Sequence, residues 1–165
     1  MIDPKSKKWD EYWETKTYKD FIYYLERYKL KYPKLPNCFR EEIGNTLWHG
    51  TTKKALKYIK EEGFIEEPVY LTNYENATRY AVLRSWEEEY KTKAVKIKID
   101  ISEYDLYVDT DPINEYRQEL FEKQIVIFEN IPSSKITEII EFDPKEEFEE
   151  WERENILEFF ETSSW

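Results

Sequence analysis

The chain contains only three glycines in 165 residues, and all of them lie between positions 44 and 63. Glycine adopts positive φ easily and allows close approach to the backbone, so a chain that nearly lacks it is expected to keep it where geometry demands it. Gly50 directly follows His49, which is the only histidine. Segment 47–52 is therefore the first candidate for a functional site.

Composition limits the class of protein. With 40% hydrophobic and 18% aromatic residues, the chain can bury one sizeable core, so we expect one compact domain with helical extensions. The formal net charge of -11 argues against a generally basic nucleic-acid-binding protein, although a local basic groove remains open. The single cysteine excludes an intrachain disulfide and a multi-cysteine zinc site, and we expect no metal.

The first residues lack the apolar core of a signal peptide, and no run approaches the ~18 apolar residues of a membrane span. We therefore expect a cytoplasmic protein without membrane contact. The sequence leaves the oligomeric state open.

Aromatic residues between positions 9 and 32 recur at helical spacing, which predicts one or two amphipathic helices. Pro33 and Pro36 then end helicity, because proline removes a donor and biases its predecessor toward extended geometry. We expect an N-terminal helical extension over residues 1–36, with a linker into the domain proper at residues 32–37.

Segment 46–49 is short and apolar, which predicts a buried strand that ends at a turn and leaves His49 at its carboxyl edge. Thr51 or Thr52 can cap the helix that follows, and Gly63 is suited to end it.

Segment 68–71 predicts a second short strand. Thr72 and Glu75 match a capping box, so a helix is expected to start at Thr72 and to carry Tyr80 on an apolar face with Ala77 and Ala81.

Segment 93–100 alternates apolar and polar residues, which predicts a half-buried strand of an antiparallel or mixed sheet, with Lys96 and Lys98 on its solvated face. The apolar run 125–128 suits a central strand, and segment 136–142 suits a last strand. Residues 144–165 form an acidic stretch with an aromatic stripe, predicted to be a helix that packs on or near the domain.

Three groups of residues follow one another in a fixed order. They are Trp-His-Gly-Thr-Thr at 48–52, Val-Tyr-Leu-Thr at 69–72 with Ala-Thr-Arg-Tyr-Ala at 77–81, and Glu-Lys-Gln-Ile-Val-Ile at 122–127 with Ile-Pro at 131–132. This order resembles the His-Tyr-Glu branch of the ADP-ribosyltransferase superfamily, which includes the poly-ADP-ribose polymerases and diphtheria-type toxins. The resemblance covers about residues 44–142 and implies an α+β fold with a split, bent mixed β-sheet whose cleft holds NAD+.

The resemblance also implies roles for individual residues. His49 would bond ribose hydroxyls, and Gly50 would present backbone groups to the nicotinamide carboxamide. Thr51 would lend a hydroxyl near the ribose. Tyr70 and Tyr80 would form the two walls of the nicotinamide slot.

The catalytic acid is the weakest part of the match. Alignment on the Ile-Pro turn puts Gln124 at the family's glutamate position, where an amide keeps a hydrogen bond but loses the charge that stabilises a cation. Glu122 lies two residues earlier, on the same face of a strand, and can take the role. Glu119 is a third candidate, although a solvated helix position explains it more simply.

The resemblance implies an enzyme that transfers ADP-ribose from NAD+ to an unidentified macromolecular acceptor, either protein or nucleic acid, with NAD+ hydrolysis as a variant. An alternative is a catalytically inactive, transferase-like interaction protein whose acidic surface mimics nucleic acid toward a nucleic-acid-binding partner.

Overall fold

The computed structural model of the protein describes residues 1–109 and 124–146. Its helices in these residues are α1 (Lys8–Trp13), α2 (Tyr18–Arg27), α3 (Asn37–Ile43), α4 (Lys53–Glu62) and α5 (Tyr74–Glu87). Its strands there are β1 (Thr46–Thr52), β2 (Val69–Leu71), β3 (Ala94–Asp100), β4 (Tyr107–Asp109), β5 (Gln124–Ile127) and β6 (Ile136–Phe142). The protein is therefore α+β, as predicted.

The strands form two three-stranded sheets, with the orders β1-β3-β6 and β2-β5-β4. An isolated antiparallel bridge between Trp48 and Thr72 joins β1 of the first sheet to the residue that directly follows β2 of the second. Every strand pair in the described part is antiparallel, so the expectation of a mixed sheet is wrong there. The described strands are divided between two small antiparallel sheets.

The N-terminal residues form two helices, as their aromatic spacing predicts. Thr17 and Asp20 close a capping box at the start of α2. Trp9, Trp13 and Phe21 are fully buried and contact one another edge to face, with ring centroids 5.0–5.9 Å apart. They belong to the same buried cluster as residues of both sheets, so α1 and α2 complete the main core.

The linker prediction holds for residues 30–36, but α3 follows at once and was not expected. Pro36 stands immediately before its first helical residue, where a missing N–H costs nothing. The linker itself packs on the second sheet, because the Leu35 N–H donates to the Leu106 carbonyl at 2.8 Å.

β1 runs through Gly50 to Thr52, so the prediction that it ends at a turn there is wrong. His49 consequently lies inside the strand rather than at its carboxyl edge. Thr52 is the residue that caps α4, because its Oγ accepts from the Ala55 N–H at 3.3 Å. α4 stops at Gly63, which has a φ of 75°, as predicted.

The N-cap of α5 lies one residue later than expected. It is Asn73, whose side-chain oxygen accepts from the Asn76 N–H at 2.7 Å, and the capping box predicted from Thr72 is not the cap used. Ala77, Tyr80 and Ala81 are buried, in agreement with the predicted apolar face.

β3 corrects the prediction for Lys96. Val95, Ile97 and Ile99 are fully buried as expected, but Lys96 on the opposite face is only 3% exposed. Its ammonium lies 3.5 Å from the centroid of the Tyr74 ring. Period-two alternation identifies the face of a strand but does not say whether a helix covers that face.

β5 is the central strand of its sheet, and β6 is a last strand, both as predicted. β4 was not predicted, because three residues carry too little pattern to be recognised. The predicted acidic helix over 144–165 lies outside the described residues from position 147 onward.

Candidate functional site

Four of the predicted site residues line one cavity of about 830 Å³, namely His49, Gly50, Thr51 and Tyr70. The cavity lies between α4, the segment 63–68 and the edges of β1 and β2 where the two sheets separate. The structure therefore brings together residues from the first two sequence motifs.

The imidazole of His49 is oriented by the backbone of β2. Its Nδ1 lies 2.7 Å from the Tyr70 carbonyl oxygen. A carbonyl can only accept, so Nδ1 carries the proton and donates, which leaves Nε2 of the neutral ring as an acceptor. The Phe64 ring contacts the imidazole edge to face, with centroids 5.1 Å apart.

Burial lowers the pKa of His49, and the positive charge of Arg84 lowers it further, while the hydrogen bond to the Tyr70 backbone opposes both effects. The ring is therefore neutral at physiological pH. Its chemistry in the cavity is that of a hydrogen-bond acceptor, rather than that of a cation.

The backbone of Gly50 faces the gap between the sheets. The Trp48 N–H donates to the Thr72 carbonyl and the Thr72 N–H to the Trp48 carbonyl, both at 2.8 Å, on the edge of β1 away from β3. Backbone groups of alternate residues point to the same edge of a strand. The N–H and C=O of Gly50 are thus directed to the edge at which β2 has separated from β1.

The need for glycine at position 50 comes from packing against α5. A Cβ there would lie 2.1 Å from the Ala77 carbonyl oxygen and 2.8 Å from the Ala81 nitrogen, distances that real Cβ atoms do not show. Packing of α5 against β1 accounts by itself for the absence of a side chain at Gly50.

Thr51 is 8% exposed and reaches the cavity from the same face of β1 as His49. Because Thr52 caps α4, the Thr51 hydroxyl is not needed for that purpose.

Tyr70 contributes its carbonyl to His49 and turns its hydroxyl toward Tyr32, with the two oxygens 3.4 Å apart. Burial raises the pKa of Tyr70, the hydrogen bond with Tyr32 and the negative charge of Asp109 raise it further, and the phenol stays protonated. The Tyr32 ring in turn belongs to an aromatic group in which Phe128 contacts Tyr32 and Tyr107 edge to face.

Tyr80 is not among the residues that line this cavity. It is 6% exposed and forms a small buried cluster with Leu83, separate from the main core. The role of Tyr80 as the second wall of the slot stays a prediction.

The predicted catalytic positions are described only in part. Glu122 and Glu119 lie outside the described residues, and Gln124 is the first residue of β5. Its Cα partner on β4 is Asp109, a carboxylate that is 3% exposed and that sequence reasoning missed. Asp109 lies two residues after Tyr107, on the face of the sheet that also carries Tyr70. The only sequence signal for Asp109 is its position at the end of the short segment Tyr-Val-Asp, in which polar and apolar residues alternate.

The cavity has an acidic lining. Five glutamates line it: Glu62, Glu66, Glu67, Glu87 and Glu88. Among the residues that the structure describes, Arg84 is the only arginine or lysine on this lining. Such a lining favours a cationic or neutral polar group and disfavours an anion. No group of three or more potential metal ligands occurs within residues 1–109 and 124–146. No helix in the described part of the chain is both long and apolar enough to cross a membrane.

No protein-family model matches this sequence, and no curated protein matches it either.

Proposed function

We propose that the protein is an NAD+-dependent ADP-ribosyltransferase that uses the cavity at His49, with NAD+ hydrolysis as a variant reaction. The observation that carries the proposal is the pair formed by a neutral His49 with an acceptor Nε2 and the open strand edge at Gly50, both on one cavity. The sequence resemblance suggests the reaction, and the geometry of the cavity supports the proposal.

The nicotinamide half of NAD+ suits this place chemically. Its carboxamide has the same donor and acceptor as a peptide group, so it can pair with the N–H and C=O of Gly50 as an added strand would. Its ring is cationic, and the carboxylates of Glu66 and Glu67 on the cavity lining favour a cation.

His49 would accept a hydrogen bond from a ribose hydroxyl at Nε2. The reaction breaks the bond between C1' of that ribose and the nicotinamide nitrogen, which keeps the electron pair, so that neutral nicotinamide leaves. An acceptor nucleophile, or water, then bonds to C1' and releases its proton. Positive charge builds on C1' before that bond forms, and a nearby carboxylate would stabilise it.

Two residues can supply that carboxylate. Glu122 is the candidate from the sequence, and Asp109 is the candidate from the β4–β5 register opposite Gln124. Gln124 itself would orient the ribose through a hydrogen bond without adding charge.

Nicotinamide release from NAD+, followed by chromatography with and without cell lysate as acceptor, tests the proposal. The variants are His49→Ala, Glu122→Gln and Asp109→Asn. Glu138→Gln serves as the matched control, since Glu138 is exposed on β6 and does not line the cavity. We expect release by the wild type and the control, and at least ~100-fold slower release by His49→Ala and by one of the two carboxylate variants.

Wild-type protein that neither releases nicotinamide nor binds NAD+ would overturn the proposal. It would favour the alternative of a transferase-like interaction protein, which would bind basic partners with strong salt dependence and ignore NAD+.

A further inference from the structure

A second groove, of about 930 Å³, lies between α4 and the loop that follows α5. Five of its lining residues are lysines: Lys53, Lys54, Lys57, Lys60 and Lys91. This is a local concentration of positive charge in a chain whose formal net charge is -11. An overall acidic composition therefore does not extend to this surface.

All five lysines are exposed, and three of them lie on one side of α4. Lys54, Lys57 and Lys60 follow one another at intervals of three residues, so they occupy neighbouring positions along the helix. Lys53 and Lys91 already contact carboxylates, with distances of 3.2 Å to Glu141 and 3.3 Å to Glu89.

Exposed lysines along a groove attract an anion with repeated charges. The opposite wall carries Glu87, Glu88 and Glu89, which repel such a ligand and would confine it to the α4 side. A flexible ligand with several phosphates can contact the lysines of α4 while it stays away from these glutamates.

Tyr58 adds a second kind of contact. It lies on α4 between Lys57 and Lys60, lines the groove and is 58% exposed. A phenol ring beside a row of lysines is the combination that holds single-stranded nucleic acid, because bases stack on the ring while lysines neutralise phosphates.

The groove is continuous with the cavity at His49, because Tyr58, Glu87 and Glu88 line both. We propose that this groove binds single-stranded nucleic acid along α4 and presents an uncharged part of it, a base or a sugar hydroxyl rather than a phosphate, to the acidic cavity as the acceptor of ADP-ribose. The role as acceptor rests on the proposed function, whereas the binding itself does not.

Fluorescence anisotropy of labelled single strands of about 12 nucleotides, one DNA and one RNA of the same sequence, measures the binding. If three lysines each neutralise one phosphate, the affinity should fall about twentyfold between ~50 and ~200 mM salt. The DNA and RNA arms identify which strand is preferred.

The test variant combines Lys54→Glu, Lys57→Glu and Lys60→Glu. A triple variant at Lys5, Lys7 and Lys8 is the matched control, because these exposed lysines lie outside the groove and the same substitutions change the net charge equally. We expect the groove variant to lose at least ~10-fold in affinity and the control to stay within about twofold. A Lys→Gln version of each triple repeats the comparison with a smaller change in charge, and circular dichroism establishes that each variant is folded.

Tyr58→Ala should weaken binding about fivefold or more if a base stacks on the ring. Equal losses in both triple variants, or no binding by the wild type at ~50 mM salt, would overturn the proposal. Displacement of the strand by a polyglutamate peptide at equal charge concentration would reassign the groove to an acidic protein partner.

Nicotinamide release without nucleic acid tests the proposed function separately. Nicotinamide release without binding of the labelled strand would support the proposed enzyme and overturn the proposal for the groove. Binding of the strand without nicotinamide release would support nucleic-acid binding in the groove and overturn its role as an acceptor site.

Discussion

Replacement of Gly50 by alanine tests the contact between β1 and α5. The added Cβ would start 2.1 Å from the Ala77 carbonyl oxygen, so the helix must move by about 0.9 Å before that distance reaches 3.0 Å. Both nearest atoms are backbone atoms, which no side-chain rotation can move away. Overpacking of this kind costs about 1–3 kcal/mol, and we expect Gly50→Ala to cost about 3 kcal/mol of unfolding free energy.

Urea unfolding, followed by the fluorescence of the six tryptophans, measures this cost. A loss of about 3 kcal/mol corresponds to a melting temperature lower by roughly 6–12 °C in a chain of this size. Gly50→Val should cost more than Gly50→Ala, because the larger side chain meets the same backbone. Asn45→Ala, at an exposed position just before β1, is the control and should change stability by less than about 0.5 kcal/mol.

An unfolding free energy for Gly50→Ala within about 0.5 kcal/mol of wild type would refute the packing argument. Glycine at position 50 would then be needed for another reason, such as close approach of a ligand to the strand edge.

Further predictions concern three other residues. The imidazole of His49, observed as the one histidine resonance in a proton NMR titration, should show a pKa below 6.5. Since the folded-state pKa is the lower one, its contribution to stability is present above about pH 6.5 and is lost as pH falls toward the folded pKa, so the urea midpoint should drop more for wild type than for His49→Gln. Lys96→Glu would hold a carboxylate against the face of the Tyr74 ring and should cost more than about 2 kcal/mol, whereas Lys98→Glu should cost less than about 1 kcal/mol in the same unfolding assay. Asn73→Ala should lower stability by about 1 kcal/mol and Asn73→Ser by only a few tenths, if Asn73 is the cap of α5.

Local patterns predicted the elements whose signals lie within their own sequence. The aromatic spacing of α1 and α2, the alternation in β3 and the apolar run of β5 each required no knowledge of the rest of the chain. The sequence did not show which helix or strand packs on each face of these elements. Lys96 was predicted to be solvated, and its burial depends on Tyr74, the first residue of α5.

The candidate site shows the same division. Sequence singled out His49 and Tyr70 through the order of their motifs, but the contact from imidazole to carbonyl, and therefore the tautomer, needs both strands in place. Tyr80 is buried with Leu83 in a small cluster separate from the main core, and its position on an apolar helix face does not reveal that it lies outside the lining of the cavity. Asp109 was missed because the sequence does not show which residue lies opposite it in the sheet. In the structure that residue is Gln124.

The central claim is that NAD+ binds in the cavity at His49, and the single histidine allows this to be observed directly. We would follow the imidazole Cε1 proton by NMR while titrating NAD+, and titrate nicotinamide in parallel. We predict saturable shifts of this proton with both ligands, and a lower imidazole pKa when NAD+ is bound, because a ribose hydroxyl that donates to Nε2 favours the neutral ring. An imidazole proton that stays unshifted at millimolar NAD+, in protein shown to be folded, would contradict the account.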